Sequence, residues 1–299
     1  MRDWWLVRSP TEKGTLLMLT AVLLFSALLL LIRLAGKGVS VVTLVVVRQL
    51  IMQALVMAQA GRESRHILRT SNLTLQLWRA GLSLTATVAT YTSFIYLPLA
   101  LASAISFSAV LFVTIGAALF LKEKVDGKTW LVTFIGLGGV LLMLSPREGG
   151  DLFFVVVSIV GAIVSAATIL TVRVFNASES IGTVLTYQGL FVLPVLLVPM
   201  LLTWQMPTPT EWLLLGAIGV LSTFGHWTFV AAYRHAEAAR LAPLDFLRLV
   251  ILSLAGLAFF NEQPEPTLLV GMAIVIATTF YTIRANARAS AAATPTATG

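Results

Sequence analysis

Apolar residues dominate ten long stretches of the chain, and short polar segments separate each stretch from the next. The stretches cover about residues 15–32, 39–59, 77–96, 99–121, 129–145, 152–173, 181–203, 211–233, 240–260 and 267–285. Each is close to the roughly 20 residues that a helix needs to cross a bilayer. The pattern therefore predicts an all-α membrane protein with ten transmembrane helices and no separate soluble domain.

The basic residues lie almost entirely on one side of these predicted helices. With a cytoplasmic N-terminus, the inside segments hold most of the 20 Lys and Arg. The outside segments hold only Arg33, Lys37 and Arg147, while Arg48 and Arg248 fall within spans. Because cytoplasmic loops of membrane proteins carry an excess of Lys and Arg, we expect both termini in the cytoplasm.

The composition excludes several classes of function. Charged residues make up 11% of the 299 residues, against roughly 25% in a soluble domain. The net charge of +7 comes mainly from loops between spans, so we expect a lipid bilayer and a small-molecule substrate as partners, with no nucleic acid and no obligate protein partner. Cysteine is absent, and we find no metal-ligand spacing of histidines, Walker loop, HExxH motif or Ser/His/Asp arrangement. We therefore expect no cofactor, no metal and no enzymatic activity.

An internal repeat divides the chain. Segment 96–123 is similar to segment 233–262, since both start with Ala-rich sequence after a short turn and end in an apolar run that closes on Glu. The period is near 138 residues. We therefore expect a first five-helix repeat at 1–147, a second at 148–288 and a disordered tail at 289–299.

An odd number of spans in each half forces the two halves into opposite orientations. The prediction is thus two inverted five-helix repeats, an arrangement found in secondary transporters whose substrate site lies near the membrane midplane between the repeats.

At this point the chain resembles the EamA family of the drug/metabolite transporter superfamily. The resemblance rests on Arg48 within VVVRQL, the Ala-rich fourth and ninth spans that end in LKE and FNE, and the run AxLAPLDFLRL at 239–249. It implies ten helices, a bacterial inner membrane and alternating access. Within the superfamily the architecture is most similar to YddG-type amino-acid exporters, although related carriers move nucleotide sugars, S-adenosylmethionine, carboxylates or organic cations.

Ionisable and amide side chains at membrane depth are candidates for the substrate site, because they are costly there. Arg48, with its neighbour Gln49, either faces a cavity and meets a substrate carboxylate, or binds helix-end carbonyls and stabilises the bundle. In the second repeat Tyr187 and Gln188 occupy the corresponding level, which favours a shared cavity wall.

A second group of charges suggests coupling or gating. Asp245 and Arg248 are three residues apart on one helix face and can neutralise each other. The two residues form either a structural ion pair or a site for substrate or protons. Glu123 and Glu262 close the fourth and ninth spans, where they are either boundary residues or gate contacts.

Two stripes of polar and aromatic residues recur at helical spacing in the third and eighth spans. Their members are Ser83, Thr87, Tyr91 and Phe94 in the third span, and Ser222, His226, Phe229 and Tyr233 in the eighth. Two such stripes at corresponding places favour a cavity for an amphipathic solute, with plain packing as the alternative.

The sequence as a whole predicts a secondary transporter that exports amino acids, mainly aromatic and apolar ones, by alternating access. One alternative is a carrier of another metabolite or organic cation, such as a nucleoside, S-adenosylmethionine or a drug. A membrane-embedded enzyme or binding subunit is the alternative of another class, and it would need a catalytic constellation that the sequence lacks.

Overall fold

The computed structural model describes residues 10–60, 70, 72–120, 122, 127–143, 151–174, 181–235, 238–263 and 265–293. These residues form helices and short connections, with no strand among them. The helices are α1 Pro10–Ala35, α2 Val41–Ala60, α3 Leu73–Tyr96, α4 Leu99–Phe107, α5 Ala109–Phe120, α6 Gly127–Met143, α7 Leu152–Val174, α8 Ile181–Leu202, α9 Pro209–His235, α10 Ala238–Phe260 and α11 Pro266–Ala293.

Helices α4 and α5 form a single span that is interrupted at Ser108. The backbone N–H of Ser108 donates to the carbonyls of Ala104 and Ile105, and its hydroxyl donates to Ile105 at 2.6 Å. The serine side chain thus competes with the regular helical ladder, as short hydroxyl side chains do. The span predicted as one helix over 99–121 is therefore two helices that meet at Ser108 within one apolar stretch.

The ten predicted spans are present as helices among the described residues. Six have the length and apolar composition needed to cross a membrane. They are Glu12–Ala35, Val41–Gln59, Leu99–Phe120, Leu152–Thr171, Gly182–Leu202 and Pro209–Phe229. The apolar parts of α6, α10 and α11 are shorter, and α3 has 24 residues. The all-helical prediction is confirmed, and the inverted order of the repeats stays a prediction.

Small residues let several helices approach closely. A Cβ atom at Gly219 of α9 would lie 2.6 Å from Cβ of Ile51 in α2, and one at Gly139 of α6 would lie 2.7 Å from Ile274 of α11. Close approach at small residues is how helices associate in lipid. Large apolar side chains such as Phe120 are exposed instead, as a lipid-facing surface requires.

Contacts between helix ends define one face of the bundle, here called the Arg33 face. Arg33 at the end of α1 donates to backbone carbonyls of Ile95 and Leu97. Tyr96 at the end of α3 stacks on Phe154 near the start of α7, with ring centroids 4.2 Å apart. The opposite face, from which α1 starts and at which α11 ends, is called the terminal face.

Candidate functional site

A cavity of about 460 Å³ lies in the middle of the bundle. Its wall comes from α1, α3, α4, α5, α7, α9 and α10, together with one residue of α2. The lining is mostly apolar, with serine and threonine hydroxyls and five larger polar side chains. These five are Arg48, Tyr91, His226, Asp245 and Arg248.

Arg48 is the one residue of α2 in this wall, and it is only 4% exposed. Its Nη2 donates to Gln49 Oε1 at 3.0 Å, and its Nη1 donates to Ser222 Oγ at 3.5 Å. The guanidinium carbon lies 5.6 Å from the centre of the Tyr91 ring. Arg48 Nε and the Tyr91 hydroxyl are buried donors without a hydrogen-bond partner, and both residues line the cavity.

His226 of α9 lies on the same wall. Its Nδ1 lies 2.7 Å from the carbonyl oxygen of Ser222, one turn earlier. The ring of Phe25 from α1 meets it edge to face, with centroids 5.2 Å apart. The imidazole is therefore held between the Ser222 carbonyl and the ring of Phe25.

Asp245 and Arg248 of α10 form the ion pair that their spacing predicts. Arg248 Nη2 donates to Asp245 Oδ2 at 3.0 Å, and both side chains keep about a quarter of their surface exposed. Asp245 Oδ1 has no partner, and the Arg248 guanidinium lies 5.1 Å from the ring centre of Phe107. The pair therefore leaves one buried carboxylate oxygen without a hydrogen bond.

The cavity residues recur at an offset of about 139 residues. This offset takes Thr87 to His226, Ser106 to Asp245 and Ala109 to Arg248, and all six residues line the cavity. The same offset takes Lys122 to Asn261. These are the two non-glycine residues with positive φ among the described ones, both at 53°. Corresponding positions of the two halves thus line one cavity and share a positive φ just beyond the described helices.

Several predicted site residues lie away from the cavity wall. Gln49 is fully buried, but its amide lies beside Gly189 of α8, because consecutive helical residues point about 100° apart. Tyr187 and Gln188 share that helix, which contributes no described residue to the wall. Ser222 is also outside the wall and contacts it through Arg48.

Some of the other predicted residues line the cavity, and the rest fall outside the part of the chain that the structure describes. Ser83 and the rest of its stripe, through Phe94, line the cavity. Glu123 and the side chain of Tyr233 lie outside what the structure describes. Phe25 and Ser103 also line the cavity. The sequence does not identify them, because apolar and small residues of a span give no signal that separates cavity wall from helix packing.

Glu262 lies on the Arg33 face and does not line the cavity. Its Oε1 is 3.0 Å from Nη2 of Arg33, and its Oε2 accepts from the backbone N–H of Leu99 at 2.7 Å. Arg33 also bonds the carbonyl of Phe94, whose ring lines the cavity. Sequence reasoning treated Arg33 only as a loop charge, since nothing local identifies its partner.

The sequence matches the EamA-like transporter family twice, over residues 12–145 and over residues 152–284. The chain belongs to the EamA-like transporter family. This EamA-like protein shares its fold with a protein of known crystal structure, at a TM-score of 0.66 over 93% of this chain and 99% of that one. The two are 18% identical, so the likeness is one of fold alone.

Curated relatives of this EamA-like protein carry several substrate names. A riboflavin transporter of Vibrio cholerae is 33% identical over 56% of this chain, and an S-adenosylmethionine uptake transporter of Rickettsia bellii is 30% identical over 64%. These matches span 56% and 66% of the relatives' own lengths. The pseudopaline exporter CntI of Pseudomonas aeruginosa is 27% identical over 89% of this chain and 94% of its own length. All three relatives are named as transporters of small molecules, and none of the three as an amino-acid exporter.

Proposed function

We propose that this protein is a secondary transporter of a bacterial inner membrane that exports amino acids, mainly aromatic and apolar ones, by alternating access. The observation that carries the proposal is a cavity whose wall is shared by corresponding helices of the two halves. Inverted-repeat transporters hold their substrate at such a seam. Membership of the EamA-like family supports transport, and the cavity supports the choice of substrate.

The lining of the cavity suits an amphipathic solute. Phe25, Phe94 and Phe107 supply aromatic surface, while Arg48 and Asp245 supply a donor and an acceptor. The volume of about 460 Å³ lies within the roughly 300–1,000 Å³ of small-molecule pockets. An aromatic amino acid has both an apolar ring and opposite charges, so it matches both parts of this wall.

The closed Arg33 face and the broken span fit alternating access. The Arg33–Glu262 pair ties helix ends together beyond Phe94, while the wall continues toward the terminal face through Ser83 and Asp245. Discontinuous helices at the substrate site are common in secondary transporters. The interruption at Ser108 gives the fourth span such a place, between cavity residues Phe107 and Ala109.

A larger heteroaromatic metabolite is the second candidate. The relatives named for riboflavin and S-adenosylmethionine favour it, and the cavity volume leaves room for more than one ring system. An organic cation is less well matched, because Arg48 and Arg248 outnumber Asp245 among the described Arg and carboxylate side chains of the wall.

Counterflow in proteoliposomes tests the proposal. Vesicles loaded with unlabelled phenylalanine, tryptophan, adenosine, riboflavin, S-adenosylmethionine or choline receive the same labelled compound outside, with protein-free vesicles as the control. We expect accelerated uptake of phenylalanine and tryptophan. Acceleration by riboflavin or S-adenosylmethionine alone would select the second candidate. Without acceleration by any compound, the transporter assignment gives way to a binding subunit or enzyme. Efflux from preloaded cells then measures the direction.

A further inference from the structure

Arg48 differs from the other arginines near the cavity in having no acidic partner. Arg33 pairs with Glu262 and Arg248 pairs with Asp245, each at 3.0 Å. Among the described residues, no carboxylate forms an ion pair with Arg48, and its two hydrogen bonds go to the neutral groups of Gln49 and Ser222. The side chain nevertheless is almost fully buried, at 4% exposure.

This lack of a counter-charge has a high energetic cost. Removing a guanidinium from water is unfavourable unless an opposite charge and further hydrogen bonds compensate for it. At membrane depth an ionisable side chain faces the same penalty, and it is retained where it serves a function. The neutral partners and the Tyr91 ring offset only part of this cost, because Nε of Arg48 stays unbonded.

The unused donors point to an acceptor that enters the cavity. Arg48 Nε and the Tyr91 hydroxyl are both buried without a partner, and both residues line the cavity. A carboxylate accepts several hydrogen bonds at once and matches the planar guanidinium fork. We infer that Arg48, assisted by Tyr91, binds a carboxylate of the substrate, an inference that rests on the proposed transport function.

The inference restricts the class of substrate. A compound with a free carboxylate, whether zwitterionic or anionic, supplies the missing counter-charge. An amide or ester of the same compound, and a neutral flavin, leave Arg48 uncompensated. The acid is therefore preferred to its amide because of one buried charge, while the aromatic part of the compound contributes similarly in both cases.

Matched probes separate this subsite from the substrate assignment. The probes are L-phenylalanine, 3-phenylpropionate, L-phenylalaninamide and riboflavin, each measured by thermal protection of the purified protein and by inhibition of counterflow. We expect the two acids to bind about 10- to 100-fold better than the amide. Arg48→Gln should remove that preference, Arg48→Lys should keep part of it, and Tyr91→Phe should weaken acid binding. Arg284→Met, which removes an exposed guanidinium at the end of α11, should leave the preference unchanged.

A stability measurement in the absence of any probe gives a second readout. If Arg48 lacks a counter-charge in the empty protein, Arg48→Met should leave the thermal midpoint unchanged or raise it. A lowered midpoint would mean that Arg48 stabilises the bundle, and it would overturn the inference. Equal binding of acid and amide, binding of riboflavin alone, or failure of both acids to bind would overturn it as well. If 3-phenylpropionate binds through Arg48 but phenylalanine is not transported, the amino-acid assignment fails and the subsite stands.

Discussion

Arg33 and Glu262, 229 residues apart in the chain, form an ion pair with 3.0 Å between Nη2 and Oε1. Glu262 also accepts from the backbone N–H of Leu99 at the start of α4, where a negative charge is favoured by the helix dipole. Arg33 donates to the carbonyl of Leu97, just after the end of α3. Two side chains therefore join the ends of α1, α3, α4 and α10 at the Arg33 face.

Breaking this pair should open the Arg33 face. The chain has no cysteine, so a single cysteine in place of Ser103, a buried cavity residue one turn from Leu99, reports access without background. Glu262→Gln in that chain removes a charge-assisted bond, and we expect labelling by a membrane-impermeant thiol reagent from the Arg33 face to rise about tenfold. Glu265→Gln, in the same connection, is the control. Equal labelling in the two variants would show that the pair does not hold this face closed.

Gly256 should matter for the same reason, although it is not part of the ion pair. A Cβ atom there would lie 2.6 Å from Glu262 Oε2, so Gly256→Ala should displace the carboxylate and raise labelling of the Ser103 cysteine. Gly138→Ala is the matched control, because a Cβ atom at Gly138 would meet no heavy atom within 4 Å. The interpretation fails if the alanine at 138 has the larger effect.

Asp245 should be needed for transport rather than for folding. Its Oδ2 binds Arg248 while its Oδ1 is unpaired at the cavity wall, so Asp245→Asn removes the one described carboxylate there. We expect the flux per folded molecule to fall about tenfold or more, with partial recovery in Asp245→Glu. Asp151→Asn, at an exposed helix start outside the cavity, is the control. Unchanged flux in Asp245→Asn would assign the pair to structure alone.

Substitutions at two glycines of α9 distinguish the effect of helix packing on stability from the effect of helix propensity. Gly219 contacts Ile51 so closely that an added Cβ would lie 2.6 Å from its Cβ, whereas Gly216 faces open space. Gly219→Ala should therefore destabilise the protein by about 1–3 kcal/mol, seen as a lower thermal midpoint in detergent. Gly216→Ala should have no such cost, since alanine is the better helix former. Equal midpoints would contradict the close contact of α2 and α9.

The orientation in the membrane is testable with the same cysteine-free background. Gln205 lies in the connection at the Arg33 face and Lys128 at the terminal face, and both are exposed. If the basic loops are cytoplasmic, a cysteine at 205 should react with an impermeant reagent on intact cells. A cysteine at 128 should react only after permeabilisation. The reverse pattern would place the termini outside.

The local pattern of the sequence was enough to predict the helices and the most important charges. Hydropathy over about 20 residues identifies a span without knowledge of its neighbours, so most predicted spans agree with the observed helices to within a few residues. Helix α11 is the exception, because it continues to Ala293, past the predicted end at 285 and into the predicted tail. A charge inside an apolar run is visible in the same way. Arg48, Asp245 and His226 were therefore identified before their surroundings were known, and all three line the cavity.

The tertiary structure decided which side of each helix faces the cavity and which distant residues meet. Arg48 faces the cavity while Gln49 faces α8, because this choice depends on rotation about the helix axis and on the helices packed around it. The pairing of Arg33 with Glu262 depends on how four helix ends meet in space. Short-range pattern specifies the spans in this chain, and packing across both halves specifies the cavity and the contacts that close it.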